Sequence, residues 1–351
     1  MVMTSGVKTI LTLLLFITQL VAAGCVGHLQ AAAVPPDVQV WPTGDLPPRI
    51  RFVSSFSTPE ELQIRRGLLL RIWDFVAGSS DRRLVNPHGL TVDADGTIYV
   101  VDTALKGVQI FNRKEGSFSS ASDEELQLQT PINPEVDAEQ KLLYLTDAAA
   151  GLVRVLSLAE GGRAREFGRG QLERPTGIVL NRFTDELLVV DTRKAAVFRY
   201  NRYDLTLKGR FGERGSGPGQ FNHPTDLAVN RAGEIVVSDA LNFRVQIFSP
   251  DGRFLRSFGK AGDSPGYFNR PKGVAVDSDN NIYVVDTLFD NVQIFDIQGR
   301  LLLSFGSAGQ GTGEFWMPSG IHIDRDDRIY VADTYNKRVQ IFQYLKQAGS
   351  K

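Results

Sequence analysis

Blocks of apolar and polar residues recur along most of this chain, at intervals of 44 to 49 residues. The typical block reads Pro-x-Gly, an apolar run, an acidic turn, a second apolar run that ends in Asp, and a third run that includes a valine six residues later. Such self-similarity indicates a repeat architecture in which every copy forms one supersecondary unit. The opening prolines are Pro87, Pro131, Pro175, Pro224, Pro271 and Pro318, and the aspartates are Asp102, Asp147, Asp191, Asp239, Asp286 and Asp333.

The fifth copy shows most clearly which elements a block contains. Its β-branched and aromatic residues predict four strands, at Gly273–Asp277, Asn281–Asp286, Val292–Phe295 and Arg300–Phe305. The apolar runs do not alternate with polar residues, which is typical of strands with both faces covered. Four short antiparallel strands in each repeat of this length predict an all-β fold, a β-propeller with six blades.

The two ends of the repeat region complete each other. The sixth copy has only three strand candidates and stops near Leu345, whereas residues 49–56 match the fourth strand of copy four. We therefore predict that this N-terminal strand closes the ring, which also protects open sheet edges. The predicted propeller covers residues 49–345, and residues 346–351 form a tail.

A segment at residues 58–86 interrupts the pattern. Thr58 and Glu61 form a capping-box motif with Pro59 at the first helical position, and Leu69, Ile72, Trp73 and Val76 follow at helical spacing. The sequence predicts a helical insert at 58–77. In the simpler interpretation, this helix packs on the propeller. In the alternative, it is a docking helix for a partner or a membrane.

The repeated residues resemble the NHL repeat in a six-bladed propeller. The resemblance rests on Pro-x-Gly-(Val/Ile)-Ala-Val-Asp, Ile-Tyr-Val-(Val/Ala)-Asp-Thr and Asn-x-Arg-Val-Gln-Ile-Phe, and it covers residues 49–345. Copies two and three depart from it, because Asn133 replaces the glycine and residues 148–151 and 193–196 replace the Asn-x-Arg turn. NHL domains of this kind serve as sensor or protein-interaction modules outside bacterial cells, so the resemblance implies a binding function.

The first 25 residues have the pattern of an export signal. An apolar segment at 10–21 is followed by Ala22, Ala23, Gly24 and Cys25, which resembles a bacterial lipobox. Cleavage of an ordinary secretory signal is the alternative. We favour lipidation of Cys25, the single cysteine, followed by a proline-rich tether at 26–48. Because Val26 is not the aspartate that retains such lipoproteins at the inner membrane, we expect an outer-membrane anchor facing the extracytoplasmic side of a bacterial envelope.

Charge and cysteine content exclude several classes of function. The chain has 39 Lys and Arg, 40 Asp and Glu, and a net charge of −1, so no overall basic field attracts nucleic acid. One cysteine permits neither an intrachain disulfide nor a cysteine-clustered metal site.

One end of the predicted ring differs most between the copies. It carries the residue after each opening proline and the turns between the second and third strands, and there we expect the binding face. The candidates around the channel are His88, Thr176, Thr225, Asp226, Lys272 and Ser319, and an apolar arc comprises Leu241, Phe243, Phe289 and Tyr335. The alternatives are solvated rim positions for the first group and packing between blades for the second.

The sequence gives little support for a catalytic function. Some NHL-type lyases bind zinc through histidines after the opening proline, and this chain has one such residue, His88. Three convergent ligands are typical of a zinc site, so no metal site, cofactor or catalytic residue is predicted. The preferred hypothesis is a monomeric, membrane-anchored binding or scaffold propeller for a protein or small-molecule partner. The alternative is a metal-dependent lyase or lactonase at the channel mouth.

Overall fold

A computed structural model describes residues 39–64, 82–121, 127–159 and 164–346 of the 351-residue chain. The predicted signal peptide, Cys25, the first part of the tether and the apolar stripe from Leu69 to Val76 lie outside the described residues, as do most of the tail residues. Within the described ranges, no helix is both long and apolar enough to cross a membrane.

Blades 1 to 3 are four-stranded antiparallel sheets that coincide with the first three copies of the repeat. Blade 1 comprises β3 (Pro87–Val92), β4 (Ile98–Asp102), β5 (Gly107–Asn112) and β6 (Ser117–Ala121). Blade 2 comprises β7 (Pro131–Asp137), β8 (Leu142–Asp147), β9 (Leu152–Ser157) and β10 (Arg165–Phe167). Blade 3 comprises β11 (Pro175–Asn181), β12 (Glu186–Asp191), β13 (Ala196–Asn201) and β14 (Leu207–Phe211).

Blades 4 to 6 follow the remaining copies. A short parallel pair, β15 (Glu213–Arg214) and β16 (Gln220–Phe221), leads into them. Blade 4 comprises β17 (Pro224–Val229), β18 (Ile235–Asp239), β19 (Arg244–Phe248) and β20 (Phe254–Phe258). Blade 5 comprises β21 (Pro271–Val276), β22 (Ile282–Asp286), β23 (Asn291–Phe295) and β24 (Leu301–Phe305), and blade 6 contains β25 (Ile321–Ile323), β26 (Arg328–Asp333) and β27 (Arg338–Tyr344).

The N-terminal strand closes the ring as predicted. Strand β2 (Ile50–Phe56) pairs antiparallel with β27, so that Ile50 lies opposite Tyr344 and Phe56 opposite Val339. Both apolar ends of β2 are fully buried. Blade 6 is therefore assembled from the two ends of the propeller, which confirms the predicted six-bladed, closed architecture.

The ordered propeller begins earlier than predicted. Strand β1 (Val40–Trp41) adds a fifth strand to blade 6 outside β2, within the segment assigned to the tether. The ring of Trp41 packs 5.7 Å from the rings of both Phe305 and Phe342. The tether prediction therefore does not hold for residues 39–41, because backbone pairing with β2 and the ring of Trp41 hold this segment against the blade.

The described part of the insert is a single helical turn. A 3-10 turn covers Pro59–Leu62, and the Glu61 carboxylate accepts a hydrogen bond from the Thr58 backbone N–H at 3.2 Å. The turn ends at Gln63, whose φ of 65° is left-handed. The predicted capping box is present, but the helix does not run on continuously through residue 63.

The core consists of apolar layers between neighbouring blades. Val245 of blade 4 and Val284 of blade 5 belong to one buried cluster, and Phe56 of blade 6 and Phe111 of blade 1 stack with ring centroids 5.1 Å apart. Each blade thus buries both faces, which explains why its apolar runs do not alternate.

The shared aspartates form hydrogen bonds and ion pairs that stabilise the blades. Asp102 accepts hydrogen bonds from backbone N–H groups of the segment before β3 and of the turn after β4. Asp239 pairs with Arg244 at 2.9 Å, and Asp333 pairs with Arg338 at 2.7 Å. These are the structural hairpin pairs that the sequence predicted.

Candidate binding site at the channel mouth

The first strands of the six blades approach one another closely around the central axis. A Cβ atom on Gly320 of blade 6 would lie 2.3 Å from the carbonyl oxygen of His88 in blade 1. A Cβ atom on Gly89 would lie 2.4 Å from the carbonyl oxygen of Ile132 in blade 2. Glycine is required at Gly89 and Gly320 because the backbone of the next blade occupies the space of a side chain.

Two copies carry a side chain at the equivalent position, and these side chains meet. Asn133 Nδ2 of blade 2 donates to Asp226 Oδ1 of blade 4 at 3.0 Å, passing Gly177 of blade 3. The other Asp226 oxygen accepts the backbone N–H of Val274 at 3.1 Å. Asn133 and Asp226 both line a cavity of about 690 Å³ at the mouth and one of about 190 Å³ below it. The pair therefore forms a partition across the channel.

The mouth cavity lies on the face that was predicted to bind. All six blades contribute to its wall, and the candidate residues that line it are His88, Thr176, Thr225, Asp226, Lys272, Ser319, Leu241 and Tyr335. The structure thus brings eight candidates to one concave surface.

Two residues of the predicted apolar arc do not line this cavity. Phe243 follows the 3-10 turn Ala240–Asn242 in a left-handed conformation, and its ring packs against the buried cluster between blades 4 and 5. Phe289 is half-buried and lies outside the cavity wall. Instead, the exposed Trp316 stacks on Tyr335 at 5.5 Å and extends the apolar edge, which the sequence did not indicate.

Most hydroxyl groups around the mouth join neighbouring blades. Thr225 donates to the carbonyl of Lys272 at 2.9 Å, and Thr334 donates to the carbonyl of Pro87 at 2.9 Å. Ser319 is 2.7 Å from Thr334. The Thr225 and Ser319 hydroxyl groups are therefore engaged in contacts within the ring.

Burial changes the charge states of the channel residues. Burial raises the pKa of Asp226 to about 7, although backbone N–H groups and Lys272 act in the opposite direction. Burial, reinforced by the charge of Arg270, lowers the pKa of Lys272 to about 8. The pKa of His88 lies well below its usual value, first because of burial and then because of Lys272.

A second acidic residue, Glu135, lines the lower cavity. Burial raises the pKa of Glu135 to about 7, and its Oε1 atom accepts the backbone N–H of Leu180 at 3.0 Å. His322 lines the same cavity, where burial lowers its pKa to about 4. Among the described residues, no group of three or more His, Cys, Asp or Glu side chains is arranged to hold a metal ion.

Sequence reasoning missed most of the basic residues of the mouth. Arg174, Arg214 and Arg270 line the cavity but were not among the predicted residues, which included Lys272. The available signal was register, because Arg174 and Arg270 each directly precede the opening proline of a copy.

Two family patterns match the chain, one for the six-bladed propeller and one for a single repeat. The pattern described as 6-bladed beta-propeller matches residues 276–345, and the NHL repeat pattern matches residues 221–248. Curated relatives share short segments with it. The B-box type zinc finger protein ncl-1 of Caenorhabditis elegans is 51% identical over 45 residues, which is 13% of this chain and 5% of that protein. The human E3 ubiquitin-protein ligase TRIM32 is 44% identical over 43 residues, 12% of this chain and 7% of that protein. The chain therefore matches only a small part of the length of these relatives.

Solved structures share the fold over most of the chain. An auxiliary nutrient binding protein from Bacteroides thetaiotaomicron has a TM-score of 0.60 and 14% identity, covering 76% of this chain and 71% of that one. Virginiamycin B lyase from Staphylococcus aureus has a TM-score of 0.55 and 13% identity, covering 74% of this chain and 96% of that one. At these identities the likeness concerns the fold alone. The chain is thus a six-bladed β-propeller, and residues 221–248 match the NHL repeat.

Proposed function

We propose that the protein is a non-catalytic binding propeller of the bacterial cell envelope and that it takes its ligand or partner at the channel mouth. The mouth cavity carries this proposal. Its volume of about 690 Å³ lies within the range of roughly 300 to 1,000 Å³ that ligand sites occupy. The residues shared by the copies maintain the fold, whereas the charged side chains of the cavity wall differ between copies.

The names of proteins with a similar fold include both a binding protein and a lyase. Binding needs only a concave, chemically distinct surface, which the described residues provide. For a metal-dependent reaction we find no set of three ligands to name among them. We therefore assign no catalytic residue.

Anchoring is the second part of the proposal. The lipobox-like sequence ending in Cys25 supports attachment of the propeller to a membrane by acyl chains on this residue. Growth of the bacterial host with an alkyne-bearing palmitate analogue tests it: wild-type protein should be labelled and Cys25→Ser should not. Equal labelling of both proteins would contradict lipidation. Substitution of Val26 by Asp should shift the labelled protein from the outer to the inner membrane.

Site-specific photo-crosslinking in the living envelope tests the binding face. A p-benzoylphenylalanine in place of Tyr335 lies at the mouth, where that side chain is 56% exposed. The matched control replaces Leu302, which is 49% exposed on the outer strand of blade 5. We expect a discrete adduct from position 335 and none from position 302. The same products at both positions, or none at 335, would contradict a binding face at the mouth.

A further inference from the structure

The wall of the mouth cavity is strongly basic. It carries five cationic side chains and one carboxylate, that of Asp226, in a chain whose acidic residues outnumber its basic residues by one. The cationic residues are Arg174, Arg193, Arg214, Arg270 and Lys272. Overall composition therefore does not explain this local excess of positive charge.

The repeat does not explain it either. The position before the opening proline holds Arg174 and Arg270 in copies three and five, but Asn86 in copy one and Met317 in copy six. The position after this proline holds Lys272 in copy five and uncharged residues in most other copies. The blades form with and without a basic residue at these sites, so the fold does not require the charges.

These cations lack close ion-pairing partners among the described residues, and only Lys272 interacts with a carboxyl group of the wall, that of Asp226. None of the five mouth cations forms an ion pair with a carboxylate among the described residues, whereas the buried Arg202 on another surface is paired with Asp137 at 2.6 Å. Arg214 Nη2 donates to the carbonyl oxygen of Arg193 at 3.0 Å, which leaves its charge uncompensated. Uncompensated cations in a concave, low-dielectric wall concentrate anions.

His88 sets a second requirement for a ligand of the mouth cavity, besides negative charge. His88 Nδ1 lines the same wall, is inaccessible to solvent and has no hydrogen-bond partner within the described structure. Burial and then the charge of Lys272 hold the pKa of His88 well below its usual value, against the opposite effect of the Ile132 backbone, so the ring is neutral. Because the proton lies on the nitrogen that faces Ile132, Nδ1 is an acceptor. A ligand hydroxyl or another donor satisfies this atom once the imidazole turns toward the cavity.

We propose that the mouth cavity binds a small hydroxylated anion, of the size and chemistry of a sugar acid or a sugar phosphate. Its carboxylate or phosphate lies against Arg270 and Lys272, since guanidinium groups match the geometry of both anions. One of its hydroxyl groups donates to His88 Nδ1 after the imidazole turns toward the cavity. This inference rests on the proposed function, because it assigns a ligand class to the same mouth.

Isothermal titration of the full chain, held in micelles of an uncharged detergent, tests the ligand class with three related probes. Glucose, glucuronate and glucose 6-phosphate share a hydroxylated ring, and only the last two carry a negative charge. We expect an anionic probe to bind at least tenfold more tightly than glucose. Comparison of the two anions decides between a carboxylate and a phosphate ligand.

Two variants and a control assign the binding to the mouth. Arg270→Gln and Lys272→Gln should each weaken binding of the anionic probe about tenfold or more, since each removes a charge-assisted contact. Arg253→Gln should leave the affinity unchanged, because Arg253 is 82% exposed and lies just before the outer strand of blade 4, away from the residues of the mouth. Far-UV circular dichroism confirms that the variants are folded.

The outcomes separate this inference from the proposed function. Equal affinity for glucose and both anions, no binding of either anion, or equal loss in all three variants would overturn the anion assignment. An adduct at Tyr335 together with any of these results would leave the mouth as a binding face for another class of ligand. No adduct and no binding would overturn both.

Discussion

Substitution of Gly320 by alanine tests whether the ring closes between blades 6 and 1 as the structure shows. The new Cβ atom would lie 2.3 Å from the His88 carbonyl oxygen and 3.1 Å from the Gly89 Cα atom, whereas ordinary contacts begin at 3.4 Å. The two inner strands would have to separate by about 1 Å. Both neighbours are backbone atoms, so no flexible side chain can move away.

Overpacking of this kind costs about 1 to 3 kcal/mol. For large domains each kcal/mol lowers Tm by roughly 2 to 4 °C, so we expect a fall of several degrees in calorimetry. Gly217→Ala is the matched control. Its new Cβ atom would meet only the end of the Gln220 side chain, at 3.0 Å, which can rotate away. A Gly320→Ala protein as stable as wild type would refute the close contact between blades 6 and 1.

Three further substitutions test separate parts of the account. Ile50→Ala should lower the free energy of unfolding by about 2 to 5 kcal/mol, because this side chain of the closing strand is fully buried. Val53 is exposed, so Val53→Ala should change the free energy of unfolding little. Equal effects of the two substitutions in urea denaturation would contradict the closure of the ring by this strand. In the same assay, Thr334→Val should lower the free energy of unfolding by about 1 to 3 kcal/mol, because it removes the hydroxyl that donates to the Pro87 carbonyl at 2.9 Å. An unchanged denaturation midpoint would argue against this hydrogen bond between blades 6 and 1. Asp226, with a pKa raised on folding to about 7, contributes stability that is present below pH 4 and is lost as the pH rises to 7. Asp226→Asn should therefore flatten the decline of Tm between pH 4 and 7, and an unaltered slope would show that this carboxyl group is not desolvated.

Local signals made most of the fold predictable from sequence. In blade 5, the predicted strands agree with β21 to β24 within about two residues at either end, because acidic turns and glycines mark the boundaries. The closing strand was predictable because residues 49–56 match the outer strand of another copy. Strand β1 was not, since two apolar residues in a proline-rich segment show no period.

The positions of the side chains in the channel could not be predicted from the sequence alone. Asn133 and Asp226 are 93 residues apart, and their hydrogen bond depends on the curvature that brings blades 2 and 4 together across blade 3. The sequence showed that Asn133 departs from the glycine pattern, but it could not show where the side chain points. For the same reason, it did not distinguish Phe243, which packs between blades, from Tyr335, which lines the mouth.

The basic mouth was only partly predictable. Lys272 was expected at the channel because it follows an opening proline, and the structure places it in the cavity wall. Arg174 and Arg270 lie in segments that look like ordinary polar turns. Their significance arises from convergence on one cavity and from the absence of an ion-pairing carboxylate among the described residues, neither of which a linear sequence displays.

Anomalous diffraction from bromide-soaked crystals of the protein tests the central claim most directly, because it locates bound anions without assuming the identity of the ligand. The account predicts a strong bromide peak inside the mouth cavity, in contact with the Lys272 ammonium or the Arg270 guanidinium, and the loss of this peak in Lys272→Gln crystals. Bromide peaks confined to the outer surfaces of the blades, with an empty mouth, would contradict an anion-binding site in the channel.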